Sequence, residues 1–412
     1  MPRSEKSTAK GTVLFRPSPF FLCCLWGLAI LFSMVTTAGA GEDPRIGYLL
    51  ADAQGKILAS RNIDQQFIPA STFKLLTSLE AIHHLGEHFR FKTDFFLGHN
   101  NTLKIRGYGD PFLTSEVIRA LCRGLASTLG HRGISTVSNI EVDNGFFDPN
   151  VEIPGTGTSA NPYDASVNAV GANFNTVSFK FNKEENRYTS AEPQTPLLGF
   201  AEKQIRASRL DHGRIVLPRA ESRIYAGRLV NYFLKKEGLV ITGAIREGRV
   251  TPGDQKIYTH ISPYTLEELV QRLLQYSNNF MANQIFLTVG ARASASAATL
   301  EKGVTTLSAY ATEVLGIPGT IISEGSGLSR KNRITPRQML TVLMAFKEHH
   351  GLMNHKGNDF YKTGTLGGIR TRAGYFADKN GRLHPYVIMV NQKDRGYGKL
   401  KNRLQAMVNK EG

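Results

Sequence analysis

The order of local patterns along this chain constrains its fold more than any other feature. Residues 46–60 hold two apolar runs around a glycine-containing turn, which predicts a β-hairpin. Apolar side chains then recur at three-residue steps over residues 73–85, which indicates a helix, and Gly86 follows as a stop signal. Residues 370–391 have the pattern of a second hairpin. This order predicts that the two ends of the chain form one domain.

The sequence between residues 91 and 254 has a different character. Short strand-like runs alternate with turns there, and helical patterns are clear only near 114–129 and 221–237. A further helical region begins at a capping box, Thr265–Glu268, and continues with breaks to about Leu315. The middle of the chain is therefore expected to be mainly β-structure, followed by helices.

A chain of 412 residues is longer than the roughly 250–300 residues at which single hydrophobic cores stop growing. More than one compact unit is therefore expected. We predict a mixed α/β protein in which a domain formed by residues 41–90 and 255–412 is interrupted by a β-rich insertion at residues 91–254.

The first 40 residues have the pattern of an export signal. Basic side chains dominate residues 1–18, an apolar stretch runs from Phe20 to Val35, and small residues follow at Ala38–Ala40. This pattern predicts a secretory signal that is cleaved after Ala40. The apolar run is also near the length of a membrane span, so an uncleaved anchor is the alternative.

Composition narrows the classes of partner. The formal net charge is +16, from 50 Lys and Arg against 34 Asp and Glu, and such a charge favours polyanionic surroundings. Export makes nucleic acid a poor partner and favours a polymer of the cell envelope. Beyond the leader, Cys122 is the one cysteine of the sequence, so no intramolecular disulfide is expected there.

Ser71–Lys74 is an S-x-x-K tetrad at the predicted start of a helix. Its spacing places the Ser71 hydroxyl and the Lys74 amine on one helical face. A serine hydroxyl is a weak nucleophile until a base takes its proton, and a desolvated neutral lysine can serve as that base. A helix-capping serine would also explain the tetrad, and the leader contains a second example at Ser7–Lys10.

Two further polar clusters follow in the sequence. Ser277 and Asn279 lie in a segment that interrupts the helical region, where a turn would expose both side chains. Lys362–Thr365 precedes the C-terminal hairpin and offers a cation, hydroxyl groups and a glycine that permits close approach of the backbone. A polar helix break and a surface turn would explain each cluster in isolation. Together with the tetrad, in an exported protein, they indicate one site.

The three clusters resemble those of the penicilloyl-serine transferases, in which S-x-x-K, S-x-N and K-T-G meet in one cleft. The chain as a whole resembles the D-alanyl-D-alanine carboxypeptidase/endopeptidase family, the low-molecular-mass penicillin-binding proteins of the penicillin-binding protein 4 type. The resemblance covers nearly the whole chain after the leader. The segments that carry it are Pro69–Thr77, Gly109–Pro111, Glu324–Asn332, Thr335–Pro336 and Lys362–Gly368.

The resemblance implies that the two ends of the chain form a β-lactamase/transpeptidase-like catalytic domain, an antiparallel sheet covered by helices. The family's insertion after S-x-x-K corresponds to residues 91–254. Ser71 is then the nucleophile that becomes acylated, and Lys74 is its general base. Ser277 is implied to relay a proton towards the leaving amine.

The remaining implied roles concern binding of the substrate. Lys362 balances charge, and Asn279 and Thr363 hydrogen-bond the substrate amide and the terminal carboxylate. The N–H groups of Ser71 and Thr365 form the oxyanion hole. The implied substrates are peptidoglycan stem peptides, cut beside a D-alanine in the periplasm or cell envelope. β-Lactam antibiotics are implied as inhibitors, and no metal or organic cofactor is implied.

The chain departs from the family pattern at several positions. Asn278 stands where Asp is usual between Ser and Asn, and Glu324 stands where Asp is usual before G-S-G. The insertion is short, and it lacks the Trp- and Asp-rich stretch with which some members hold the side-chain amine of the stem peptide. Asp164 is the nearest candidate for that role. The stem-peptide specificity is therefore left open.

Three other interpretations compete with a DD-peptidase. His84–His88 fits H-x-x-E-H, but Gly86 is expected to end the helix that a zinc site would need. A class A β-lactamase would need an E-x-x-L-N loop, and this sequence contains none. A non-catalytic peptidoglycan-binding or penicillin-binding protein is expected to lose a residue such as Ser71 or Lys362, and both are present.

The leader yields the first testable prediction. N-terminal sequencing of the protein from the envelope fraction should begin at Gly41 or within a few residues, because the small residues before it form a cleavage site. A full-length protein that stays in the membrane pellet after a salt wash would show an anchor instead.

Overall fold

A computed structural model describes residues 43–157, 159, 161–393 and 395–411. The predicted leader at residues 1–40 lies outside this range. The strands, in chain order, are β1 Ile46–Ala51, β2 Ile57–Arg61, β3 Lys92–Leu97, β4 Leu103–Gly107, β5 Thr136–Val137, β6 Ile140–Asp143, β7 Thr176–Asn182, β8 Arg187–Ser190, β9 His212–Val216, β10 Val240–Ile241, β11 Ile245–Glu247, β12 Gln255–Ile261, β13 Asn354–Lys356, β14 Asp359–Leu366, β15 Ile369–Ala377 and β16 Leu383–Val390.

The α-helices follow the same chain order. They are α1 Lys74–Leu85, α2 Ser115–His131, α3 Gly199–Ser208, α4 Arg219–Lys236, α5 Leu266–Tyr276, α6 Asn279–Ala293, α7 Leu300–Ala309, α8 Pro336–Phe346 and α9 Gly398–Glu411. Within the described ranges, none of these helices combines the length and the apolar character needed to cross a membrane.

Strands from both ends of the chain form the largest sheet. Its order is β13-β14-β15-β16-β1-β2, and all neighbouring strands are antiparallel. Successive residues of a strand face opposite sides, so Leu49 packs with α1 and α8 while Leu50 packs with Leu404 and Val408 of α9. Both predicted hairpins are confirmed, and the fold is the expected antiparallel sheet covered by helices.

The helix signals in the sequence were accurate where local chemistry sets a helix end. Helix α1 ends at Leu85, and Gly86 has a φ of +81°, which a glycine adopts without strain. At the start of α5, Glu268 N–H donates to Thr265 Oγ1 over 3.3 Å and Thr265 N–H donates to the Glu268 carboxylate over 2.7 Å. This reciprocal pair is the predicted capping box. Helices α3, α8 and α9 were not anticipated.

The middle of the chain contributes its own sheets. One has the order β11-β6-β4-β3-β12 and another the order β8-β7-β9, while α2 and α4 pack together beside the first. In the first sheet β12 pairs antiparallel with β3, with His260 opposite Thr93. The boundary expected at residues 254/255 would divide these hydrogen-bonded strands. We therefore propose that the inserted unit extends to about Ile261.

Glu80 is an unusual residue in the core beneath the large sheet. Its side chain on α1 is fully buried, and neither carboxylate oxygen has a hydrogen-bond partner among the described residues. Burial raises the pKa of Glu80 well above its ordinary value of 4.5. The folded protein therefore holds this proton more tightly than the unfolded chain does.

Replacing Glu80 with Leu should stabilise the protein. A buried polar group without a partner typically costs about 1–3 kcal/mol, so the free energy of unfolding at pH 7 should rise by about that amount. The gain should grow as the pH rises above about 4.5. Above this pH the unfolded wild-type chain loses the Glu80 proton while the folded wild type retains it, which lowers the stability of the wild type alone. Urea denaturation between pH 5 and 8 measures both effects.

The control for this experiment is Glu116→Leu, at an exposed position on α2. Its free energy of unfolding should stay within about 0.5 kcal/mol of the wild type. A Glu80→Leu protein that is less stable than the wild type at pH 8 would contradict the prediction.

Candidate active site

Ser71 lies in a short 3₁₀ helix, Ala70–Phe73, that leads directly into α1. Ala70 has a φ of +48°, in the left-handed region that residues with a side chain adopt at a cost. Gly327 packs against this turn so closely that a Cβ atom there would lie 1.9 Å from the Ala70 carbonyl oxygen. The turn before Ser71 is thus held in a strained conformation by a second segment of the chain.

Lys74 is fully buried at the first turn of α1. Its Nζ lies within hydrogen-bond distance of Ser71 Oγ at 3.0 Å, Asn279 Oδ1 at 2.6 Å and the Ser326 carbonyl oxygen at 2.6 Å. An amine has three bonding directions besides its carbon stem, and these contacts occupy all of them. The head of Lys74 is therefore fixed beside the Ser71 hydroxyl.

The surroundings favour the neutral form of Lys74. Burial lowers its pKa well below the ordinary value of 10.5, and the nearby Lys362 lowers it further, while Glu324 acts in the opposite direction. A neutral lysine amine has a free electron pair. In this position the pair can take the proton of the Ser71 hydroxyl.

The turn between α5 and α6 carries the S-x-N cluster. Ser277 has a φ of +55° at the end of α5. Asn278 is the N-cap of α6, and its Oδ1 accepts a hydrogen bond from Met281 N–H over 3.0 Å. Asn and Asp are equally good N-cap residues, which accounts for Asn at this position. Asn279 directs its Oδ1 to Lys74, so its Nδ2 group is left for a ligand.

Lys362 on β14 completes the set. Its Nζ donates to Ser277 Oγ over 2.7 Å and to the Thr363 carbonyl oxygen over 2.9 Å. Burial lowers the pKa of Lys362 to about 8. Two serine–lysine pairs thus stand side by side, Ser71 with Lys74 and Ser277 with Lys362.

Gly364 explains how β14 comes so near to Ser71. A Cβ atom on Gly364 would lie 2.8 Å from Ser71 N and 2.3 Å from Thr371 Oγ1, so a larger residue could not pack there. Thr363 and Thr365 flank this glycine and share one side of the strand, and Thr365 is exposed. Neither threonine hydroxyl has a hydrogen-bond partner in the described part of the chain.

The segment around Glu324 was not among the predicted site residues. The Glu324 carboxylate is buried and accepts hydrogen bonds from Ser326 N, Ser326 Oγ, Ser329 N and Asn332 Nδ2. These bonds shape the loop whose Ser326 carbonyl contacts Lys74. Thr77 and Asn283 also bind this loop, at Gly325. In the sequence, the only indication of a role for Thr77 and Asn283 is that they lie close to the S-x-x-K and S-x-N clusters.

An open cleft of about 370 Å³ lies in front of these residues. The middle of the chain supplies part of its wall, which the sequence did not indicate. The residues that line the cleft are Ser71, Pro162, Tyr163, Phe174, Arg214, Tyr276, Ser277, Asn278 and Asn279. Asp164 is not among them, and its carboxylate accepts hydrogen bonds from Gly157 N, Ser159 N and Ser159 Oγ.

The H-x-x-E-H segment does not have the helical arrangement that a zinc site would need. Because α1 ends at Leu85, His84 and His88 do not lie on one continuous helical turn. No group of three or more His, Cys, Asp or Glu side chains in the described ranges is placed to hold a metal ion.

In this cleft one serine hydroxyl is hydrogen-bonded to a buried lysine, and a second serine–lysine pair lies at the same cleft. Serine enzymes that form acyl intermediates without a histidine have this arrangement. Residues 38–209 and 207–356 match the D-Ala-D-Ala carboxypeptidase 3 (S13) family. The match covers more than half of the chain. The chain therefore belongs to this family of serine carboxypeptidases, as the motifs implied.

Individual curated proteins are similar to this chain in sequence, and solved structures are similar to it in fold. A D-alanyl-D-alanine carboxypeptidase from Actinomadura sp. (strain R39) is 25% identical over 363 residues, which are 73% of this chain and 65% of the relative's length. The crystal structure of penicillin-binding protein 4 from Haemophilus influenzae has a TM-score of 0.69 at 19% identity and covers 89% of this chain and 96% of its own. The same protein in complex with a β-lactam gives a TM-score of 0.66 at 20% identity, with the same coverage.

The two lysines predict a characteristic pH dependence. The rate of acylation by a penicillin should rise with pH as Lys74 loses its proton, and it should fall above about pH 8, where Lys362 loses its positive charge. Stopped-flow acylation between pH 5 and 10 measures this profile, with circular dichroism to verify that the protein stays folded. A rate that still increases at pH 10 would show that the charge of Lys362 is not required.

Proposed function

We propose that this protein is an exported serine DD-peptidase that cuts peptidoglycan stem peptides beside a D-alanine through an acyl-enzyme on Ser71. The observation that carries this proposal is the buried Lys74 amine, which lies 3.0 Å from Ser71 Oγ and has a strongly lowered pKa. Family membership supports the reaction class, and the hydrogen bonds of the site support the assignment of roles.

In the first step, Ser71 Oγ attacks the carbonyl carbon of the penultimate D-alanine while Lys74 takes the hydroxyl proton. Negative charge develops on the carbonyl oxygen. We assign its stabilisation to the N–H groups of Ser71 and Thr365, since Gly364 lets β14 approach the Ser71 backbone closely.

The leaving amine needs a proton when the peptide bond breaks. We assign this transfer to Ser277, which gives its hydroxyl proton to the amine and receives in return the proton that Lys74 took from Ser71, so that Lys74 is neutral again. Ser277 is hydrogen-bonded to Lys362 and lines the same cleft as Ser71. Asn279 keeps its Nδ2 group for the substrate amide, because Lys74 occupies its oxygen. Thr363 and the Lys362 cation suit the terminal carboxylate of the peptide. Water then hydrolyses the ester, and Lys74 again acts as the base.

The site of action follows from the substrate. Peptidoglycan lies outside the cytoplasmic membrane, and the leader at residues 1–40 predicts export to the periplasm or cell envelope. The chain remains basic without the leader, and this positive charge favours residence near anionic envelope polymers. We propose both terminal D-alanine and D-alanine cross-links as substrates, and β-lactams as inhibitors because they mimic the D-Ala-D-Ala end.

Labelling with a fluorescent penicillin tests the assignment of the nucleophile. Peptide mapping should place the adduct on Ser71, and Lys74→Ala should slow acylation by about 10²–10⁴-fold, the usual cost of removing a catalytic base. Lys56→Ala is the matched control, since Lys56 is exposed in the turn between β1 and β2 and should label like the wild type. An adduct on any other residue would disprove the assignment.

A washout chase separates a peptidase from a β-lactamase. The label should persist, because the sequence lacks the E-x-x-L-N glutamate with which class A β-lactamases activate water. Loss of the label within seconds would identify a β-lactamase. Mass spectrometry of products from cross-linked and uncross-linked muropeptides then measures endopeptidase and carboxypeptidase activity separately.

A further inference from the structure

The middle of the chain contributes one charged side chain to the cleft. Arg214 lies on β9, and its side chain is 36% exposed. The other residues that line the cleft in the described part of the chain are uncharged, so Arg214 alone brings a formal charge to this lining. Tyr163 and Phe174 line the same cleft and provide aromatic surfaces.

Arg214 is held in a defined orientation. Its Nε donates to Ser178 Oγ over 2.9 Å, and its Nη2 donates to Glu192 Oε1 over 2.5 Å. Glu192 Oε1 also accepts from Ser178 Oγ over 3.0 Å, and Glu192 does not line the cleft. These bonds use one edge of the planar guanidinium. Both hydrogens of Nη1 and the second hydrogen of Nη2 have no protein partner among the described residues, and together they form a fork that is available to a ligand.

We propose that Arg214 binds a carboxylate of the stem peptide at a residue away from the bond that is cut. This specificity role rests on the function proposed above. The fixed fork of a guanidinium matches a carboxylate in two-point geometry, and the aromatic neighbours limit competition from water. Stem peptides offer such groups at the γ-linked D-glutamate and at diaminopimelate.

The charges around the cleft argue against an ammonium group as the ligand of this wall. No carboxylate lines the cleft in the described ranges, and the Asp164 oxygens already accept hydrogen bonds from their own loop. The terminal carboxylate of the substrate is accounted for at β14. The Arg214 side chain therefore selects among stem peptides by a second, internal carboxylate.

Pairs of synthetic pentapeptides test this inference on the full mature protein. One pair carries the α-carboxylate of D-glutamate or its carboxamide, and a second pair carries the free or amidated carboxylate of diaminopimelate. For one of these pairs the wild type should prefer the carboxylate form by about tenfold in kcat/KM, mainly through KM, which is the scale of a charge-assisted hydrogen bond. Arg214→Gln should bring that ratio close to one.

The control variant is Arg187→Gln. Arg187 lies on β8 of the same small sheet, pairs with Glu185 and does not line the cleft, so its variant should keep the wild-type ratio. A wild-type ratio near one for both peptide pairs would overturn the inference, and so would an Arg214→Gln variant with an unchanged ratio. Failure of penicillin to label the wild type at Ser71 would instead contradict the proposed function itself.

Discussion

The site depends on the burial of one amine. Lys74 is inaccessible to solvent, and a buried amine is tolerated only when its hydrogen-bonding directions are satisfied. Three separate segments supply the partners: the turn at Ser71, the start of α6 at Asn279 and the loop at Ser326. The reactive state of Lys74 and the joining of these segments are therefore parts of one arrangement.

Neighbouring segments of the chain hold the surroundings of Lys74 in place. The Glu324 carboxylate, held by four hydrogen bonds, partly offsets the effect of Lys362 on Lys74 and rigidifies the loop that Lys74 contacts. Ala70, the residue before Ser71, and Ser277 itself adopt left-handed backbone conformations. Such strain persists only where neighbouring elements fix the backbone, and the helices and the large sheet provide that support here.

The proposed chemistry and the proposed selectivity come from different parts of this chain. The proposed reacting groups lie on α1, at the α5–α6 turn and on β14, which the two ends of the chain supply. The wall that carries Arg214 comes from the sheet β8-β7-β9 in the middle of the chain. Because this wall comes from a separate part of the chain, its residues contribute to the cleft without belonging to any of the three motifs.

The sequence by itself determined the antiparallel hairpins, the capped helices and the identity of the S-x-x-K, S-x-N and K-T-G clusters, because turn chemistry, side-chain period and short motifs are local properties. The sequence also showed that Asn278 departs from the family pattern. The reason, its role as the N-cap of α6, depends on where that helix begins. Only the tertiary structure decided that β12 pairs with β3 and that Arg214 reaches the cleft. The same holds for the unpartnered carboxylate of Glu80. These features depend on which distant residues share a surface, and no periodicity or spacing in the chain encodes that proximity.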